Sequence, residues 1–89
     1  MSYKVRTKRT TLVNLVKVAR ENDGGAVASS WNAWRDIDGG VTVAHYSTVM
    51  VRVLASGEVL PISKGWESMT DKKGIGIITG RRYWDIFTK

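Results

Sequence analysis

The 89-residue sequence has no cysteine and only one histidine, one proline and one phenylalanine. Without cysteine there can be no disulfide, thiolate zinc site or cysteine nucleophile. With His45 as the sole imidazole, histidine metal clusters and any chemistry needing a second histidine are excluded as well. No apolar run approaches the roughly 18 residues of a membrane helix, and the basic start over 1–11 is followed by no apolar stretch long enough for a signal peptide. A reducing, cytoplasmic setting is the expectation. Acids are scarce at both ends: residues 1–20 hold six cations and no acid, and residues 72–89 hold five cations against Asp85 alone. Seven acids and three cations fall between them. The formal charge is +6 and the pI about 10.0, which favours an anionic partner or an acidic protein surface. What is present is 43% hydrophobic content. That is enough to close one small domain over 1–89 and too little for two cores or a large cleft.

Thr10 or Thr11 is placed to cap a helix over 12–21. Leu12, Leu15, Val16 and Ala19 recur there at helical spacing, with Val13 beside them, while Asn14, Lys17 and Glu21 face away. Asn22, Asp23, Gly24 and Gly25 stop it. From Ala26 onward, valine-, tryptophan- and threonine-rich segments separated by turn signals predict strands at 26–37, 41–46, 47–54 and 58–62, with 3–7 as a further edge strand. Alternation puts Val49, Val51 and Val53 on one face of their strand and Met50, Arg52 and Leu54 on the other. Pro61 suits an edge or a strand end. Ser68 to Asp71 can cap a second helix over 71–79; Gly74 and Gly76 weaken it and leave a strand as the alternative. The tail over 81–89 mixes aromatics with cations and is expected to dock on the core. The fold class is α+β: an N-terminal amphipathic helix packed on a small antiparallel β-meander.

The stretch from Lys72 to Arg82 combines Gly74, Gly76 and Gly80 with flanking cations, a composition that suits backbone approach to phosphate. Its G-x-G-x-x-x-G spacing matches neither the dinucleotide fingerprint nor a nucleotide-triphosphate loop. Trp31 and Trp34 point to opposite faces of a strand, so only one need be core. An exposed tryptophan beside cations stacks on bases or anchors a protein interface, and Trp84, beside Arg81, Arg82 and Tyr83, is the best placed. Asp36 to Gly40 reads as a hairpin turn and lacks the further ligands of a calcium loop. Nothing in the spacing pairs any two of Asp36, Asp38, Glu58 and Glu67 for acid/base work. His45 reads as a half-buried, hydrogen-bonded histidine. No nucleophile–base pair is recognisable, and no enzymatic activity, cofactor or metal is expected.

The block Val43-Ala44-His45-Tyr46-Ser47-Thr48-Val49-Met50-Val51-Arg52, then Gly57-Glu58-Val59, then Trp66-Glu67-Ser68-Met69-Thr70-Asp71-Lys72-Lys73, resembles a family of small tailed-bacteriophage proteins of unknown function. In that family a Y-x-T-x-V strand precedes a glycine turn and an aromatic-x-S-x-T-x-x-[KH] element. The resemblance spans 41–73. Met69 stands where a second threonine is common, and Lys73 where histidine is often seen. It implies a phage accessory protein acting in the host cytoplasm by binding, and it transfers no functional residue.

The resulting expectation is nucleic-acid binding. Lys4, Arg6, Lys8, Arg9, Lys72, Lys73, Arg81 and Arg82 would contact phosphates, with Trp84 stacking on a base. The alternative is an inhibitor that docks on a host defence or metabolic protein. A virion part would instead form a symmetric homo-oligomer.

Overall fold

Loops of two residues (Ser29-Ser30 and Tyr46-Ser47) and of five (36–40 and 54–58) join consecutive strands. Such connections are too short for crossovers, so the strands must pair antiparallel in chain order. The computed structural model describes residues 10–87. Lys4, Arg6, Lys8, Arg9 and the expected edge strand over 3–7 lie outside the described residues. A five-stranded sheet of order β1-β2-β3-β4-β5 is formed by β1 (Ala26–Ala28), β2 (Trp31–Arg35), β3 (Val41–His45), β4 (Thr48–Val53) and β5 (Val59–Pro61). The helices are α1 (Leu15–Glu21), preceded by a 3-10 turn (Leu12–Asn14), then α2 (Met69–Thr79) and α3 (Tyr83–Phe87). This is the expected α+β arrangement, with α1 packed against β1, β2 and β3.

Three local expectations are corrected. First, the single strand over 26–37 is two strands, folded back at Ser29-Ser30 with Ala28 opposite Trp31. Ser29 takes φ +56° to make that turn, a conformation normally left to glycine, which is why composition did not announce it. Second, a register shift between Val43 and Ala44 pairs them with Val51 and Val49, leaving Met50 as the extra residue of a β-bulge. The bulge breaks the period of two, so Met50 joins Val51 in the core. Third, neither Thr10 nor Thr11 caps the first helix. Both hydroxyls donate to Asn14 Oδ1, at 2.6 and 2.8 Å, and the chain enters α1 through the 3-10 turn.

The core lies between the helices and one face of the sheet. Leu15, Trp31, Val41, Val43, Met50, Val51 and Ile75 are its largest fully buried apolar side chains. Trp31 is the inward member of the tryptophan pair, and its indole edge presses on α2 at Gly74, where a Cβ would overlap the ring. α2 is a helix despite its two glycines because its start is secured twice. Ser68 Oγ accepts the Asp71 N–H and the Asp71 carboxylate accepts the Ser68 N–H, a reciprocal capping box. Gly80, at φ +75°, ends it in the left-handed conformation. Pro61 closes edge strand β5, where its missing N–H costs no ladder bond.

Candidate functional site

The glycine-rich stretch whose composition suits phosphate lies mostly in α2, the helical one of the two conformations expected there. Lys72 and Lys73 project from the first turns of α2, and Arg81 and Arg82 follow its glycine cap. α3 then folds the chain back. Tyr83 is buried, its hydroxyl donates to the Lys64 carbonyl at 2.7 Å, and its ring packs against Phe87 and edge-on against Trp84 at 4.9 Å. Burial, then the nearby charges of Glu67 and Asp71, raise the Tyr83 pKa, so the hydroxyl stays a donor. This anchor sets Trp84 beside α2, with 47% of its surface exposed and the Lys72 ammonium 5.1 Å from its ring centroid. A groove of about 500 Å³ opens between the two helices, floored by Gly76, Ile77 and Trp84 and rimmed by Lys72, Lys73 and Arg82. Asp85, 3.9 Å from Arg82, is its one acid.

Of the expected site residues, the fold thus gathers Lys72, Lys73, Arg82 and Trp84. Arg81 is exposed but does not line the groove. Lys72 and Lys73 lie toward the positive end of the α2 dipole, where cations do not help the helix.

Asp36 and Asp38, unpaired in the sequence reading, meet around one guanidinium. Arg52 Nε donates to Asp36 at 2.9 Å and Arg52 Nη2 to Asp38 at 2.9 Å. The Gly40 N–H and then Arg52 hold the Asp38 carboxyl below its usual range. The segment is the expected hairpin turn, with Asp36 N–H donating to the Gly40 carbonyl. Among the described residues no cluster of three metal-ligating side chains occurs.

His45 is more deeply placed than expected, at 5% exposure, and both ring nitrogens are engaged. Nδ1 lies 2.6 Å from Asp71 Oδ1, and Nε2 lies 2.8 Å from Ser30 Oγ. Asp71 is itself buried. Burial pushes its carboxyl up, but hydrogen bonds from His45, from the Ser68 and Trp66 N–H groups and from the Ser68 side chain outweigh that and hold it below its ordinary value. An ionised Asp71 only accepts, so Nδ1 carries a proton and, in the neutral ring, Nε2 accepts from the Ser30 hydroxyl. Trp31 stacks on the imidazole at 4.1 Å and 11°, and Tyr46 flanks it at 4.6 Å. Sequence reasoning missed this chain of three because its members are 15 and 26 residues apart. The Ser68-x-x-Asp71 capping signature was the one visible hint, since it places Asp71 at a tethered helix start.

Compared with protein-family models, with curated proteins and with solved structures, the chain matches none. Among the described residues no helix is long and apolar enough to cross a membrane.

Proposed function

We propose that the chain binds single-stranded nucleic acid, as a phage-type accessory protein, through the groove between α2 and α3. The observation that carries the reading is the convergence of Lys72, Lys73 and Arg82 on the rim of an apolar floor that contains Trp84. A base lies against the Trp84 ring, displacing or sharing the Lys72 ammonium, and the flanking phosphates take Lys73 and Arg82. The groove suits a splayed base, since a duplex offers only edges and backbone. Lys4, Arg6, Lys8 and Arg9 of the basic N-terminal segment add further cations for phosphates.

Anisotropy of a labelled single-stranded oligonucleotide tests this directly. Trp84→Ala weakens binding by ~1–3 kcal/mol with little change in salt dependence. Arg82→Glu weakens binding and flattens the salt slope by at least ~0.7 units, the share of one phosphate on a single strand. Unchanged affinity in both folded variants overturns the assignment.

A second reading, capture of a host protein, draws on Trp66, 84% exposed just before α2, and Met69, 73% exposed at its first residue. It predicts partner retention that survives nuclease and is lost with Trp66→Ala.

A further inference from the structure

We propose that Ser30, His45 and Asp71 form a hydrolytic site that cleaves carboxylic esters bearing an apolar acyl group. The binding function above is not required for it. The geometry has the three parts that nucleophilic acyl transfer needs. The hydroxyl is in hydrogen-bond contact with an imidazole nitrogen, the opposite nitrogen is held by a buried carboxylate, and the serine lines an accessible groove. Ser30 lines a groove of about 460 Å³ on the other flank of α2, whose apolar walls include Leu12, Trp31, Met69 and Ile77 and whose rim carries Lys73. The chain of contacts from Asp71 through His45 ends at Ser30, which lines that groove.

The tight turns that carry the set also place its members. Among the described residues three non-glycine positions have positive φ: Ser29, Tyr46 and Glu67. Ser29 immediately precedes Ser30, and Tyr46 immediately follows His45. Glu67 stands between Trp66 and Ser68, whose N–H groups both converge on Asp71 Oδ2, at 2.9 and 3.2 Å. At Ser29 and Tyr46 the left-handed conformation is what a two-residue hairpin turn requires. Each of these three serves a different member of the same set. The Ser29-Ser30 turn is further tied to the neighbouring one, since Tyr46 N–H donates to the Ser30 carbonyl at 2.8 Å.

The step balances with water alone. Ser30 Oγ forms a bond to the acyl carbon while its proton passes to His45 Nε2. Asp71 keeps the ring oriented and offsets the imidazolium charge, and Lys73, which lines the same groove, is the cation available to the developing oxyanion. The ester C–O bond then breaks as Nε2 returns the proton to the leaving oxygen. Water attacks the acyl-Ser30 ester by the same proton path and releases the acid. Ser30 and His45 are the catalytic residues, and Asp71 is a positioning residue.

The test uses the full chain with two probes: an alkyl fluorophosphonate followed by intact mass and fragmentation, and p-nitrophenyl butyrate followed by nitrophenolate release. The expected result is one phosphonyl adduct on Ser30, not Ser29, and ester turnover that falls at least ~100-fold in Ser30→Ala and in His45→Gln. Ser30→Ala removes one part-buried oxygen at a hairpin tip, so its near-ultraviolet dichroism stays native and the comparison holds even where His45→Gln unfolds. Asp71→Asn abolishes the downfield His45 Nδ1 proton resonance and lowers turnover. A merely structural carboxylate would shift stability and leave the turnover of the remaining folded protein unchanged. A folded wild-type protein that acquires no adduct at Ser30, or is labelled elsewhere, overturns the proposal, as does ester turnover that survives Ser30→Ala.

Discussion

One carboxylate, that of Asp71, ties the segment before α2, at Trp66 and Ser68, to His45 at the end of β3. A carboxyl held below its ordinary value contributes its stability in full above the usual carboxylate range. That contribution is lost as pH falls through the lowered pKa. Acid unfolding should therefore steepen below the ordinary range in the wild type and flatten in Asp71→Asn, with urea titrations across pH as the measurement. At neutral pH the same substitution should cost about 3 kcal/mol, because it leaves His45 with a mismatched partner in a buried site. At Trp84 the expectation is the reverse. Its ring is half exposed on a helix held by Tyr83 and Phe87, so Trp84→Ala should leave the midpoint of urea unfolding nearly unchanged while binding falls. Neither role was legible residue by residue. Asp71 is one of eight acids in the sequence, and what distinguishes it is a set of partners brought in by β3 and the turn before α2.

At the scale of elements, α2 carries the most information, because its two glycines do different work. Gly74 is where Trp31 seats its indole, and Gly74→Ala should destabilise by ~1–3 kcal/mol through overpacking. At Gly76 the nearest non-neighbouring atom to an added Cβ is the Arg81 carbonyl oxygen at 3.8 Å, so Gly76→Ala should stabilise the helix by up to ~1 kcal/mol. Gly76 also floors the Trp84 groove, so the same methyl should weaken nucleic-acid binding. Paired urea and anisotropy measurements on this one variant separate its two effects. Ser68→Ala should cost about 1 kcal/mol by removing half of the capping box. The cap at Ser68 and the edge placement of Pro61 were readable from local chemistry, as was the opposition of Trp31 and Trp34 across the strand, though not which of them faces the core. The Ser29-Ser30 turn and the Met50 bulge were not. Each depends on a backbone exception that tertiary packing imposes and that no residue type signals.

Over the whole molecule, charge was the most legible property and its arrangement the least. The sequence separates basic ends from an acidic middle. The fold engages much of that middle: Asp36 and Asp38 on Arg52, Asp23 on Arg35, and Asp71 in the buried set. Lys72, Lys73 and Arg82 line grooves on either side of one helix, which share Lys73 and Ile77. Spacing alone cannot produce that juxtaposition, because it follows from α3 folding back under the Tyr83 anchor and from Trp31 fixing the seat of α2.

The central claim is nucleic-acid binding at the Trp84 groove. Its most direct test is anisotropy of a single-stranded oligonucleotide with wild type and Arg82→Glu at about 50 and 200 mM salt. The account predicts wild-type affinity that falls with salt by ~0.7 log units per log unit of salt for each phosphate engaged, and a weaker, flatter response in Arg82→Glu. Absence of binding at the lower salt, or identical curves for the two proteins, would contradict it.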